Sequence, residues 1–212
     1  MYLYLIMNIG IINTNTSNIK SVYNALNHLN FRNYKEIRSL KDTEKEKFTH
    51  LILPGNGSFE SNIKKIKNEC LDNFLIESFE NNIFFLGICV GMQILATYGE
   101  ENGKVDGLDI IPGKVEKIPV KEKKLPHIGW NNITIKKNDK LFKNLSEDES
   151  IFYFLHSYYF NVSDGINNLS TVNYDFEFPV IIKKKNFYGI QFHPEKSQSQ
   201  GLKLIKNFLE LR

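Results

Sequence analysis

An apolar run that leads directly into a cysteine between two glycines most constrains how this chain folds. Residues 83–88 are almost wholly apolar and predict a strand buried on both faces, as strands of parallel sheets are. Residues 92–98 have the pattern of a helix, so the chain must turn sharply at Cys89, where Gly87 and Gly91 relieve crowding. Such a turn presents a nucleophile, and the N–H groups at a helix start stabilise a thiolate. The alternative interpretation is a small buried core cysteine.

Strands and helices alternate in the rest of the first half. Apolar residues at helical spacing predict a helix along Ile19, Val22, Leu26 and Leu29. A second helix with Ile63, Ile66 and Phe74 on one face would place Cys70 in the core. Short β-rich runs predict strands at residues 9–12, 34–37 and 50–53.

Beyond Gly99 the pattern changes to turn residues between short β-like runs. These runs predict strands at residues 115–118, 133–135, 151–155, 158–162, 180–182 and 187–192, and a last helix at 202–211. A length of 212 residues fits one domain over residues 1–212. We therefore predict an α/β fold with a mixed central sheet, parallel and flanked by helices in its first half, with an added antiparallel section.

The bulk composition excludes several classes of function. A net charge of +3 is too small to indicate nucleic-acid binding, and the short basic runs at 121–124 and 183–185 fit solvated faces. Two cysteines make no disulfide framework, which indicates the cytoplasm. Residues 1–6 are apolar but have neither the basic start nor the cleavage site of a signal peptide, so we interpret them as a possible N-terminal extension before Met7. No stretch is long enough to span a bilayer, and no membrane association is expected.

A cysteine nucleophile needs a base, and the base needs a group that orients it. Among five histidines, His193 follows the β-like run 187–192 and is separated from Glu195 only by Pro194. The proline stiffens the turn, so both side chains can leave one loop toward one site. This predicts a catalytic triad of Cys89, His193 and Glu195, although a histidine at a strand end is by itself more often structural.

An acyl-transfer site also needs donors for an oxyanion. The stretch at residues 54–57 follows the third strand, and a parallel neighbour would bring it beside Cys89. We predict that the N–H groups of Asn56 and Val90 form the oxyanion hole, although the glycine pattern alone is merely a turn signal. The histidines and cysteines lack the spacing of metal ligands, so no metal and no cofactor are expected.

Three motifs in this order carry a resemblance to a known family. They are Pro54-Gly55-Asn56-Gly57, Gly87-Ile88-Cys89-Val90-Gly91-Met92-Gln93 and Gln191-Phe192-His193-Pro194-Glu195-Lys196-Ser197. Together they resemble the class I, triad-type glutamine amidotransferases, which implies a flavodoxin-like fold with an added antiparallel section. The resemblance also implies hydrolysis of the glutamine side-chain amide through a glutamyl thioester, with ammonia delivered to a partner site.

Two further segments, residues 126–131 and 152–158, are similar to the glutaminase subunits of imidazole glycerol phosphate synthases, as are the length and the opening at residues 9–22. That resemblance implies a heterodimer with a (β/α)8-barrel cyclase subunit. The cyclase would use the ammonia to form imidazole glycerol phosphate and an aminoimidazole carboxamide ribonucleotide in histidine biosynthesis.

The same resemblance assigns further residues. Trp130 is either a buried anchor or an interface residue. Tyr153 and Lys196 would lie toward the subunit interface. The glutamine pocket would be lined by Gly57, Gln93, His156, Ser157 and Tyr158.

Two departures from the family pattern keep other functions open. Residues 13–17 lack glycines that many members carry, and Asn56 replaces an apolar residue. One alternative is a paralogous glutaminase that feeds another synthase, such as one that aminates a surface sugar. The others are a stand-alone cysteine hydrolase of γ-glutamyl amides and a non-catalytic regulatory protein with the same fold.

Overall fold

A computed structural model describes residues 7–15, 19–145, 150–163 and 165–212. The predicted extension at residues 1–6 and part of the predicted loop at 13–17 lie outside the described residues. The first half of the chain contains β1 (Ile9–Ile12), α1 (Ile19–His28), β2 (Tyr34–Ile37), β3 (His50–Gly55), α2 (Phe59–Asn68), α3 (Leu71–Glu80), β4 (Phe84–Cys89) and α4 (Val90–Gln93). The second half contains β5 (Tyr98–Gly99), β6 (Val105–Asp106), β7 (Gly113–Lys117), β8 (His127–Asn132), β9 (Thr134–Ile135), β10 (Ile151–His156), β11 (Tyr158–Val162), β12 (Asn167–Asn173), β13 (Glu177–Lys184), β14 (Phe187–Ile190) and α5 (Gln198–Leu209).

The main sheet has the order β2-β1-β3-β4-β14-β13-β12-β9. Its first five strands are parallel, and β13, β12 and β9 are antiparallel. This confirms the predicted mixed sheet. Every residue of β1, β3 and β14 is buried, as in a parallel sheet covered on both faces. The carboxyl ends of β3, β4 and β14 therefore meet at one edge, where ligands bind in doubly wound folds.

The remaining strands form two smaller sheets beside the main one, and their pairs are antiparallel except for the parallel pair of β5 and β7. Four strands have the order β11-β7-β5-β6, and β8 pairs with β10 alone. We call the pair β8 and β10 the ribbon. In its register His127 lies opposite His156, and Trp130 lies opposite Tyr153.

The helix predicted at residues 92–98 is wrong in its bounds. The helix α4 ends at Gln93, and the chain enters strand β5 at Tyr98. Backbone N–H groups of residues 108, 109 and 111 donate to the carbonyl groups of residues 94, 96 and 95. The turn after α4 is thus capped by a neighbouring segment rather than extended, which the local pattern does not reveal.

The prediction that Cys70 belongs to the core is also wrong. Cys70 is exposed and has a left-handed backbone with φ of 56°, and it separates α2 from α3. The predicted single helix is therefore two helices, and Leu71 and Leu75 fill the core on the second one.

The six strands predicted beyond Gly99 each overlap an observed strand, but the last helix begins earlier than predicted. Helix α5 starts at Gln198. The sequence pattern misses the first turn because its residues are polar and mostly exposed, and so do not show the helical spacing of apolar residues. Among the described helices, none is long and apolar enough to cross a membrane.

Candidate active site

Cys89 lies at a strained junction between β4 and α4. It ends the strand with φ of 54° and ψ of −112°, a conformation that residues with a side chain rarely adopt. A Cβ atom on Gly91 would lie 2.0 Å from the Leu53 carbonyl oxygen, and one on Gly87 would lie 2.4 Å from the Gly91 oxygen. Glycine is therefore required on both sides of the cysteine. We call residues 87–91 the elbow.

His193 and Glu195 leave a short turn just after β14. Because β14 and β4 are parallel with Ile190 opposite Ile88, this turn reaches the same sheet edge as Cys89. His193 Nδ1 lies 2.9 Å from Glu195 Oε1, and each side chain is only 4% exposed. The His193 N–H donates to the Tyr153 carbonyl oxygen at 2.9 Å, so the ribbon holds the turn.

The electrostatics of the site favour a charged imidazole. Burial lowers the pKa of His193, but the negative charge of Cys89 and then the carboxylate of Glu195 outweigh it and raise the pKa to about 10. The interaction with Cys89, through charge and hydrogen bonding, is the largest contribution that raises the pKa of His193. With its pKa raised to about 10, the His193 imidazole is charged at neutral pH and has a proton on Nε2 available for transfer.

Gln191 contacts the sulfur, and we did not predict this from the sequence. Its Nε2 atom lies 3.7 Å from Cys89 Sγ, and its Oε1 atom accepts from Gln93 Nε2 at 3.0 Å. Gln93 Nε2 also lies 3.0 Å from the Tyr158 carbonyl oxygen. The available signal was position: Gln191 follows Ile190, which pairs with Ile88, and so is level with Cys89 at the sheet edge.

The stretch at residues 54–57, which we call the oxyanion loop, lies beside the elbow. Gly55 pairs directly with Cys89, and a Cβ atom on Gly55 would lie 2.3 Å from the Gly91 nitrogen. Gly57 has φ of 75°, and its N–H donates to Asn56 Oδ1 at 2.9 Å. Val90 follows Cys89 directly. The geometry fits an oxyanion site, and the roles of Asn56 and Val90 stay predictions.

Asn62 on α2 donates hydrogen bonds to the oxyanion loop, and we did not predict this from the sequence. Its Nδ2 atom donates to the carbonyl oxygens of Asn56 and Ser58, both at 2.9 Å, and its Oδ1 atom accepts from Thr14 Oγ1 at 3.0 Å. The side chain is 1% exposed. The sequence offers no signal for this, because Thr14 lies 48 residues away along the chain, in another loop.

The residues predicted for the glutamine pocket lie near one another. His156 Nδ1 lies 2.8 Å from the Tyr158 carbonyl oxygen, Ser157 lies between them, and Gln93 reaches the same carbonyl oxygen. The fifth predicted residue, Gly57, belongs to the oxyanion loop. Their binding of glutamine stays a prediction.

The ribbon also carries the predicted interface residues. Trp130 is 49% exposed and packs its ring against Tyr153 with centroids 6.0 Å apart, so its interpretation as a buried anchor is wrong. Ile128 on the same strand is 61% exposed. Tyr153 and Lys196 are half-buried, and their contact with a partner stays a prediction.

Comparison with known proteins points to one family. The family described as glutamine amidotransferase class-I matches residues 10–211. The imidazole glycerol phosphate synthase subunit HisH of Blochmanniella pennsylvanica is 42% identical over 205 residues, which cover 97% of this chain and 100% of that protein. HisH of Caldanaerobacter subterraneus is 38% identical over 204 residues, which cover 96% of this chain and 98% of that protein. HisH 1 of Methanococcus maripaludis is 44% identical over 164 residues, which cover 76% of this chain and 80% of that protein.

Solved structures share the fold at lower identity. A crystal structure of a glutamine amidotransferase has a TM-score of 0.72 at 18% identity and covers 95% of this chain and 97% of that one. The structure of PurLQS from Thermotoga maritima has a TM-score of 0.71 at 17% identity, with 96% and 97% covered.

Proposed function

The chain belongs to the class I glutamine amidotransferase family, and from this we propose that it is the glutamine-hydrolysing subunit of an imidazole glycerol phosphate synthase in histidine biosynthesis. The observation that carries the proposal is the match to HisH proteins over nearly the full length of both chains. The paired His193 and Glu195 side chains beside Cys89 support the same activity.

In the first half of the proposed reaction, the Cys89 thiolate attacks the side-chain amide carbon of glutamine. A C–S bond forms as the carbonyl oxygen becomes an oxyanion, which the N–H groups of Asn56 and Val90 would stabilise. The His193 imidazolium gives its Nε2 proton to the amide nitrogen. The C–N bond then breaks, and ammonia leaves a glutamyl thioester.

In the second half, neutral His193 takes a proton from a water molecule that attacks the thioester carbon. The C–S bond breaks, glutamate leaves, and the thiolate and imidazolium are restored. Glu195 orients the imidazole through Nδ1 and stabilises its charge throughout.

The relatives are named as subunits, and we propose that this chain likewise works with a second subunit, a (β/α)8-barrel cyclase that receives the ammonia. The exposed apolar side chains of Ile128, Trp130 and Ile151 on the ribbon support a docking face there. Tyr153 and Lys196 would border this face. We propose a cytoplasmic location for this activity, as predicted from the sequence.

Glutamate release from glutamine, measured with the cyclase subunit added, tests the proposal. Cys89→Ala and His193→Ala are each expected to reduce the rate by about three orders of magnitude or more, because they remove the nucleophile or the base. Cys70→Ser is the matched control and should keep the wild-type rate, since Cys70 is exposed and far along the chain from the elbow. Full activity of either triad variant would contradict the mechanism. A rate that the cyclase does not change would favour a stand-alone hydrolase.

A further inference from the structure

Two buried histidines connect the ribbon with the pocket around Cys89. His127 Nδ1 lies 3.1 Å from His156 Nε2, and the two residues are 2% and 6% exposed. At one end of the pair, His156 Nδ1 lies 2.8 Å from the Tyr158 carbonyl oxygen. At the other end, Asn131 Nδ2 lies 3.3 Å from His127 Nε2. The mechanism above assigns no role to His127 or Asn131.

Only one arrangement of protons satisfies these contacts. A carbonyl oxygen only accepts, so His156 must carry its proton on Nδ1, and its Nε2 is then an acceptor. His127 must therefore donate from Nδ1, which leaves its own Nε2 as an acceptor for the Asn131 amide. The amide orientation is fixed independently, because Asn131 Oδ1 accepts from the Asn132 N–H at 2.9 Å.

Packing keeps both imidazoles neutral. The His127 ring lies between Phe154 and Tyr174, with ring centroids at 4.5 and 4.0 Å. Burial, and to a smaller extent the charge of Lys123, lower the pKa of His127 to about 4. Burial lowers the pKa of His156 to about 3. If either imidazole were charged, both of its ring nitrogens would carry hydrogen, and one of them would face another N–H donor.

The hydrogen bonds continue from the histidines to the sulfur. The Tyr158 carbonyl oxygen that accepts from His156 also accepts from Gln93 Nε2, at 3.0 Å. Gln93 donates in turn to Gln191, whose Nε2 atom faces Cys89. The Tyr158 carbonyl group is thus held from two sides, by a histidine and by a glutamine.

We propose that His127 is a positioning residue for glutamine hydrolysis. As a neutral Nδ1–H donor it fixes His156, and through His156 it fixes the backbone of residues 156–158 against Gln93. This inference rests on the proposed function and on the predicted glutamine pocket, which includes residues 156–158. His127 itself touches neither the substrate nor the reacting atoms, so its effect is on the shape of the pocket.

Steady-state kinetics with glutamine and the cyclase subunit test this role. His127→Phe keeps a flat ring between Phe154 and Tyr174 but removes the donor, and we expect KM for glutamine to rise about tenfold while kcat changes less than about threefold. His127→Asn restores an N–H donor near the Nδ1 position and should recover most of the KM. Tyr174→Phe is the matched control, because it removes a hydroxyl that donates to the Lys124 carbonyl oxygen and leaves the histidine pair intact.

A spectroscopic measurement tests the proton arrangement without relying on activity. In ¹⁵N NMR spectra of the wild-type protein at neutral pH, His127 and His156 should both carry hydrogen on Nδ1 and none on Nε2. A proton on Nε2 of either residue would overturn the proposal, as would an unchanged KM in a folded His127→Phe variant. A wild-type enzyme without glutaminase activity would instead refute the proposed function, so the two failures are distinguishable.

Discussion

The close packing of the elbow predicts that Gly91→Ala will impair catalysis as well as destabilise the fold. The added Cβ atom would lie 2.0 Å from the Leu53 carbonyl oxygen, whereas real Cβ atoms essentially never approach within 3.0 Å of another heavy atom. The backbones of β3 and α4 must therefore separate by about 1 Å, a shift of the size that can cost about 100-fold in rate. Since β3 leads into the oxyanion loop and α4 follows Cys89, this shift separates the proposed oxyanion donors. The overpacking itself should cost about 1–3 kcal/mol of stability.

The assay compares kcat for glutamate release, with the cyclase subunit present, against the free energy of unfolding in denaturant. Gly113→Ala is the control, because its Cβ atom would lie 2.4 Å from the Asn161 carbonyl oxygen in the second sheet. This variant should lose comparable or greater stability, since Gly113 also has a positive φ, but keep kcat within about threefold of the wild type. Equal losses of kcat in the two folded variants would refute the argument that the elbow fixes the oxyanion geometry.

Two other predictions follow from the site. In Cys89→Ser the largest interaction that raises the pKa of His193 is lost, while burial still lowers that pKa. An NMR titration should therefore show the pKa of His193 falling well below about 10. An unchanged pKa would contradict the ion pair. The raised pKa of His193 stabilises the fold, and this effect is lost as the pH rises through about 10. Because the unfolded chain keeps its cysteine proton up to about pH 8.5, wild-type Tm should fall more steeply than that of Cys89→Ser between about pH 8.5 and 10. Asn62→Ala should lower the free energy of unfolding by about 1–3 kcal/mol, because two hydrogen bonds donated by a buried amide are lost. A denaturant curve that matches the wild type would show that other groups replace Asn62.

The elements that follow from local pattern were predicted well, and those that depend on distant pairing were not. The strands β1, β2 and β11 have the predicted bounds, because each is a short β-rich run between turn residues. Strand β8 was missed, since its sequence His-Ile-Gly-Trp-Asn-Asn has little strand preference. It is a strand because it pairs along its whole length with β10.

The residues of the candidate site also divide into those predicted from local pattern and those whose contacts depend on distant pairing. Cys89, His193 and Glu195 were predicted from the sequence, because strained turns and adjacent acid–base pairs leave a local signature of glycine and proline. Gln191 and Gln93 are 98 residues apart, and their contact depends on the register between β14 and β4. No property of either segment alone specifies that register.

The parts of the site come from different sheets, and this suggests which kinetic constant each part controls. The elbow, the oxyanion loop and the His193 turn all follow parallel strands of the main sheet, whose register fixes the reacting groups relative to one another. The backbone of residues 156–158 instead joins the ribbon to the second sheet, and Gln93 and Gln191 connect it to Cys89 in the elbow. Changes in the parallel strands should therefore act mainly on kcat, and changes in the ribbon mainly on KM. Because the ribbon also carries the exposed Trp130, a partner that docks there would alter glutamine binding before it altered the chemistry.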